Sequence, residues 1–122
     1  MTSGVFTKAK DAFLSGQINW LDDNVSAVLY NGKVNLDQNE TLSELGELAS
    51  EHKPIANRDI KNATAQGKSL LFLKVNSAFN AVVVFKEDDG KLICYIDLGK
   101  SRKPEGDDAQ VTWENGKDIF RI

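Results

Sequence analysis

The stretch AVVVFKEDDGKLICYIDL, residues 81–98, decides how this chain is read. Two apolar runs, Ala81–Lys86 and Leu92–Leu98, flank Asp88-Asp89-Gly90, a turn signal whose glycine can take the left-handed backbone that hairpins need. Such a turn forces the two runs to be antiparallel neighbours. In LICYID, Leu92, Cys94 and Ile96 face one way, while Ile93, Tyr95 and Asp97 face the other. In AVVVF every residue on both faces is apolar. A half-exposed antiparallel strand normally alternates apolar and polar residues. A run that is apolar on both sides is either sealed between layers or part of a contact with another chain, which makes Val82 and Val84 candidate interface residues.

Working outward, Val25–Tyr30 reads as a strand closed by the turn dipeptide Asn31-Gly32. Leu70–Val75, Val111–Glu114 and Asp118–Ile122 read as further strands, with Asn115-Gly116 as a second hairpin signal between the last two. The spacing predicts a mainly β fold, a small antiparallel β-sandwich or barrel. A short N-terminal helix and one further short helix complete it. In the first helix Phe6, Ala9, Phe13 and Leu14 are expected to share a face, with Thr7 as N-cap and Gly16 as the stop. Two turns of helix cannot stand alone in water, so this piece must dock on its own sheet or on a neighbouring subunit. Phe6, Phe13, Leu14 and Trp20 are therefore candidate arm or interface residues. The segment 35–57 is polar and loose, apart from Thr41–Leu48, where leucines at helical spacing predict the second short helix. The chain reads as a single domain over residues 1–122, with a helix or arm over 1–20 and a β core over 25–122.

A chain of 122 residues can bury roughly two-thirds of its unfolded surface, enough for one core. Its 41% hydrophobic and 27% charged residues are those of a folded domain. A net charge of −3 leaves no basic field for a nucleic-acid backbone. The one basic cluster, Lys100-Ser101-Arg102-Lys103, is followed at once by Glu105, Asp107 and Asp108 and reads as a solvated loop. Cys94 is the only cysteine, so no internal disulfide is available. Lys8, Lys10 and Asp11 interrupt what would be the apolar core of a secretory peptide, and no run approaches the roughly 18 apolar residues of a membrane span. The expectation is a chain folded in a reducing cytoplasm, with neither nucleic acid nor membrane as partner.

Motifs for chemistry are sparse. Gly67-Lys68-Ser69 matches the end of a phosphate-binding loop, but Asn62 stands where the first glycine belongs, and a strand follows where a helix is needed. A glycine turn feeding a strand is the better reading. The single histidine, His52, lies in a polar loop before Pro54, and Cys94 lies in an apolar strand where a thiol is inert. Two N/S side chains cannot build the usual four-ligand zinc site. The runs Glu87-Asp88-Asp89 and Glu105, Asp107, Asp108 lack the alternating spacing of a calcium loop. Trp20 and Trp113 read as core anchors or, alternatively, as stacking platforms for a glycan. No enzyme, cofactor or metal site is expected.

Two blocks carry a resemblance. FTKAKDAFLSGQINWLDDNVSAVLY, and then VVVFKEDDGKLICYIDLG followed by DDAQVTWENGKDIFRI, resemble the start and end of a family of small virion proteins of tailed bacteriophages. Trp20-Leu21 falls on the family's WL, Phe85-Lys86 on its YK, and Tyr95-Ile96-Asp97 on its YID. Val111-Thr112-Trp113 falls on VTW, and Phe120-Arg121-Ile122 on the terminal motif. Residues 31–75 depart from the pattern. The resemblance implies a non-enzymatic structural protein of the virion. It favours a capsid decoration or cement protein that binds the outer head surface through the major capsid protein, as a homo-oligomer in the particle. A neck or tail adaptor, or a glycan-binding module on the virion surface, are the alternatives.

Overall fold

A computed structural model describes residues 3–121. The chain is mainly β, with every paired strand antiparallel. The strands are β1 (Gly4–Val5), β2 (Val25–Tyr30), β3 (Lys53–Pro54), β4 (Asp59–Lys61), β5 (Thr64–Gln66), β6 (Leu70–Val75), β7 (Phe79–Lys86), β8 (Leu92–Arg102), β9 (Asp107–Val111) and β10 (Asp118–Arg121). One helix, α1 (Thr7–Leu14), and one 3-10 turn, Leu42–Leu45, interrupt them. A five-stranded sheet runs in the order β1-β8-β7-β2-β3, and smaller sheets run β10-β5-β4 and β6-β9. All three contribute buried residues to one continuous core.

The central hairpin is the one the sequence predicts. Asp88-Asp89-Gly90 closes β7 onto β8, with Gly90 at φ 74°. Across β2, β7 and β8 the register aligns Ala27, Val84 and Cys94 on one face, and Val28, Val83 and Tyr95 on the other. All six are buried. Of the two options for a strand apolar on both sides, the structure has the sealed one. Val82 and Val84 are fully buried within the chain and present no surface to a partner.

Residues 32–52 cover one face. Tyr30 Oη donates to Leu45 O, Tyr95 Oη donates to Gly32 O, and the Phe85 ring meets His52 edge to face at 4.8 Å. On the other face Lys86 Nζ reaches Gln17 O at 2.9 Å, just beyond α1, and α1 packs on β8. The N-terminal segment is thus built into the core and is no free arm. Phe6 is fully buried, and its N–H donates to Ile93 O as an extension of β1.

Several boundaries differ from expectation. Phe6, not Thr7, occupies the N-cap position, because pairing with β8 carries the extended backbone through Phe6; Thr7 Oγ1 donates to Asp37 instead. The buried face of α1 is Ala9 and Ala12, with Phe13 half-buried, whereas Leu14 is 89% exposed. At about 100° per residue Leu14 falls some 140° from Ala9, off that face. The helix expected over Thr41–Leu48 shrinks to the 3-10 turn, which the Thr41–Glu44 capping box starts and Gly46, at φ 76°, ends. The strand expected at Val111–Glu114 lies earlier, at Asp107–Val111, because Trp113 leaves the ladder to bury its ring and donate to Lys68 O. The basic cluster read as a loop is in part the exposed end of β8. Asn115-Gly116 does turn the chain, but it closes on a single Glu114–Asp118 bridge, and β10 pairs with β5. Ile122 lies outside the described residues.

Gly67-Lys68-Ser69 is a packing junction. The Gly67 N–H donates to Lys117 O and the Lys68 N–H to Ala56 O, so neither is free for a phosphate. A Cβ on Gly67 would sit 2.5 Å from Ile55 Cγ2, which belongs to a buried side chain. Gly67→Ala is therefore expected to cost about 1–3 kcal/mol by overpacking, measured by urea denaturation; an unchanged midpoint would contradict this packing.

Three carboxylates sit below their ordinary range. Glu44 is held down by the Glu40 N–H and the Asn39 amide, and Asp118 by Asn115 and Gln66. Burial works to raise Glu87, but bonds from His52 and Ser26 and the His52 charge outweigh it. Each carboxylate binds a proton less readily folded than unfolded, so unfolding takes up protons in acid. Stability is expected to fall as pH drops below the ordinary values of 4.5 for Glu and 3.8 for Asp. Glu87→Gln should flatten the decline, as read from Tm against pH.

Candidate functional site

The candidate interface residues do not form one surface. Phe6, Val82 and Val84 are interior, and Trp20 is buried. Phe13, half-buried, and Trp20 instead help line a groove of about 340 Å³ together with Ile18, Ile60, Ala63 and Phe120. Leu14 follows Phe13 directly and is the most exposed of the large apolar side chains among the described residues. Ile60, 51% exposed, lines the groove from β4.

Each wall has a local cause. After α1, Gly16 at φ 80° lets the chain reverse, and the Gln17 and Ile18 N–H groups both donate to Ala12 O. Asn19 then shapes a tight turn. Its Oδ1 accepts from the Leu21 and Asp22 N–H groups, and its own N–H donates to Asp23 Oδ2. That turn delivers Trp20 to the core, where Nε1 donates to Asp59 O at 3.1 Å and Gln66 O at 3.2 Å, across β4 and β5. Phe120 of β10 meets the Trp20 ring edge-on at 5.2 Å and the Phe13 ring at 6.0 Å. Asn62 (φ 52°) and Ala63 (φ 61°) turn β4 into β5 with both residues left-handed, the geometry of a tight hairpin that favours glycine at its second position. An alanine there costs about 1–2 kcal/mol relative to a right-handed backbone.

Arg58 ties the turn that carries Trp20 to the segment before β4. Its Nε donates to Trp20 O at 2.6 Å and Nη1 to Ile55 O at 2.8 Å, while Nη2 reaches Leu21 O and Asp23 O. One guanidinium thus collects carbonyls from two segments more than 30 residues apart, a task suited to its planar fork of donors. No sequence signal points to Arg58, because all its acceptors are backbone atoms. Ile60 and Ala63 were equally illegible: the exposed, short β4 shows no alternation.

The groove is apolar, and no titratable side chain lines it. The groups that could carry chemistry lie elsewhere. Burial pushes the Cys94 thiol far above its ordinary pKa, which leaves it without thiolate character. His52 Nδ1 is 2.9 Å from Glu87 Oε1, an exposed pair joining the approach to β3 to the end of β7. Among the described residues no group of three or more His, Cys, Asp or Glu is placed to hold a metal ion. Trp113, like Trp20, is buried with its indole N–H bonded inward, so neither ring lies open as a stacking platform. The arrangement can bind apolar side chains by shape and burial. No protein-family model matches this chain, and neither a curated protein nor a solved structure does.

Arg58→Lys keeps the charge but loses the fork, and is expected to cost about 2 kcal/mol in a chemical-denaturation experiment. A change below about 0.5 kcal/mol would show that the carbonyl cluster is held by other contacts.

Proposed function

We propose that this chain is a non-enzymatic structural protein of a tailed-phage virion, a decoration protein that binds the outer head surface and stabilises the shell. The observation that carries this reading is where the family-like blocks fall. Trp20, Phe85, Tyr95, Trp113 and Phe120 are framework residues, buried or half-buried around one core. Residues 31–75, which depart from the pattern, supply much of the outer cover, including β3 and the β4–β5 hairpin beside the groove. The groove draws on both parts: Phe13, Ile18, Trp20 and Phe120 come from the family-like blocks, and Ile60 and Ala63 from the divergent segment, so one wall can vary with the partner while the frame is kept. The apolar groove, with the exposed Ile60 in its lining and the exposed Leu14 next to Phe13 in sequence, is the contact surface this reading assigns to the shell. Repetition over the head supplies affinity that one such small contact lacks.

Cryo-microscopy and mass spectrometry of purified particles test the reading. The chain is expected on the outside of heads, in hundreds of copies. About a dozen or fewer copies would move it to a ring at the neck or tail, and absence from mature particles would end the proposal. Leu14→Asp and Ile60→Asp, at exposed positions, should fold normally yet bind heads more weakly.

A further inference from the structure

Away from the groove, β6 and β9 form a two-stranded sheet, so each has one long edge without a partner strand. Among the described residues no backbone group of Leu70–Leu73, or of Ala109–Val111, is hydrogen-bonded outside the β6–β9 pair itself. Bare edges of this kind are templates for another strand. β6 also points Leu71 (47% exposed) and Leu73 (58% exposed) outward, two of the five exposed large apolar side chains among the described residues. β9's strand residues Asp108–Val111 line a second groove, of about 510 Å³, whose other lining includes Phe79, Leu98, Arg102, Lys103 and Pro104.

The flanking charges select the partner. Lys68 and Lys74 bracket the apolar run of β6, and both are exposed. Asp107 and Glu114 bracket β9 and its continuation, and both are exposed too. None of these four is in an ion pair among the described residues. Two β6 strands pairing antiparallel about Leu71 would set Lys68 against Lys74 at both ends, so like charges oppose that contact. A β9 strand suits better. Within the chain β6 already accepts β9, with Leu70 opposite Val111 and Val75 opposite Asp107. The Leu70–Val111 register brings Lys74 opposite Asp107 and, carried past Val111, leaves Lys68 one residue from Glu114.

We propose that copies of this chain join head to tail, the open edge of β6 in one copy pairing antiparallel with the open edge of β9 in the next. The contact repeats between copies the strand pairing already present within each. In that register Leu71 and Leu73 of one copy lie beside Gln110 and Asp108 on the exposed face of its neighbour's β9, and the flanking lysines meet the flanking carboxylates. Such a contact is heterologous, so it closes into a ring or continues as a filament. The proposal concerns the isolated chain in solution and is independent of the virion reading; either can fail alone.

The test uses two charge-reversed chains and sedimentation-velocity measurements over a concentration series. In the first chain Lys68→Glu and Lys74→Glu make both edges acidic; in the second Asp107→Lys and Glu114→Lys make both basic. The natural chain is expected to associate with rising concentration, less so at high salt. Each variant alone should associate about tenfold more weakly or worse, and an equal mixture should recover assembly, because every junction is again between opposite charges. A natural chain that stays monomeric throughout would overturn the proposal, as would a second variant that assembles as well as the natural chain. Hydrogen exchange on the unaltered chain gives a readout that does not depend on the variants folding. Amides of Leu70–Leu73 and Asp108–Val111 should gain protection as concentration rises, and no gain would also count against the contact.

Discussion

β2 and β7 lie side by side with almost every residue buried, so the sheet they form must be covered on both faces. A sheet that is wet on one side needs only one apolar surface; this one needs two. The rest of the chain is arranged to meet that demand. On one side the residues between β2 and β3, polar and short of regular structure, are held over Tyr30, Phe85 and Tyr95 by individual side-chain contacts. On the other, the N-terminal segment first adds a strand to β8 and then turns back as α1. A helix of eight residues has no stability of its own, so its burial in the core is what keeps it formed.

Polar groups decide how those covers are fixed. Asn80 illustrates the pattern: its Oδ1 accepts from the Gly32 N–H while its Nδ2 donates to Gly32 O and to Tyr95 Oη. One side chain replaces a missing strand partner for Gly32 and also ties Tyr95 down. Arg58 does the same for the Trp20 turn, and Trp113 for the Gly67–Lys68 junction. Among the described residues no buried side-chain nitrogen or oxygen lacks a partner. A fully satisfied network makes the cover specific as well as stable, because each displaced segment would leave a buried polar atom unpaired. It also keeps the aromatic groove open, since Trp20 is pinned from its indole N–H and from its own carbonyl.

Legibility in the sequence follows the range of the cause. β2 and β6 begin and end where their composition says, and the β7–β8 hairpin follows from Asp88-Asp89-Gly90. These are local signals. β1, β3, β4 and β5 are two or three residues long and owe their extended form to a distant partner, so nothing within them announces a strand. The displaced β9 has the same origin: Val111-Thr112-Trp113 has strand composition, but the tryptophan is worth more buried against Lys68 O than kept in a ladder. The candidate site was half legible. Phe13 and Trp20 could be named from helical spacing and aromatic character, whereas Ile60, Ala63 and Arg58 enter through a hairpin and a carbonyl cluster that exist only in three dimensions. The run that is apolar on both faces fits either a buried layer or a contact with another chain, and the covers supplied by residues 32–52 and α1 settle it as a layer.

Hydrogen exchange on the dilute, monomeric chain tests the central claim most directly. If the chain itself seals both faces of the β2–β7–β8 sheet, amides of Val28, Val83 and Tyr95 exchange only through global unfolding. Their protection in the dilute monomer then matches the free energy of global unfolding measured by denaturant. Rapid exchange at those positions in the monomer, with protection appearing only as copies or partners are added, would mean that one face is covered by another molecule, and would contradict the account.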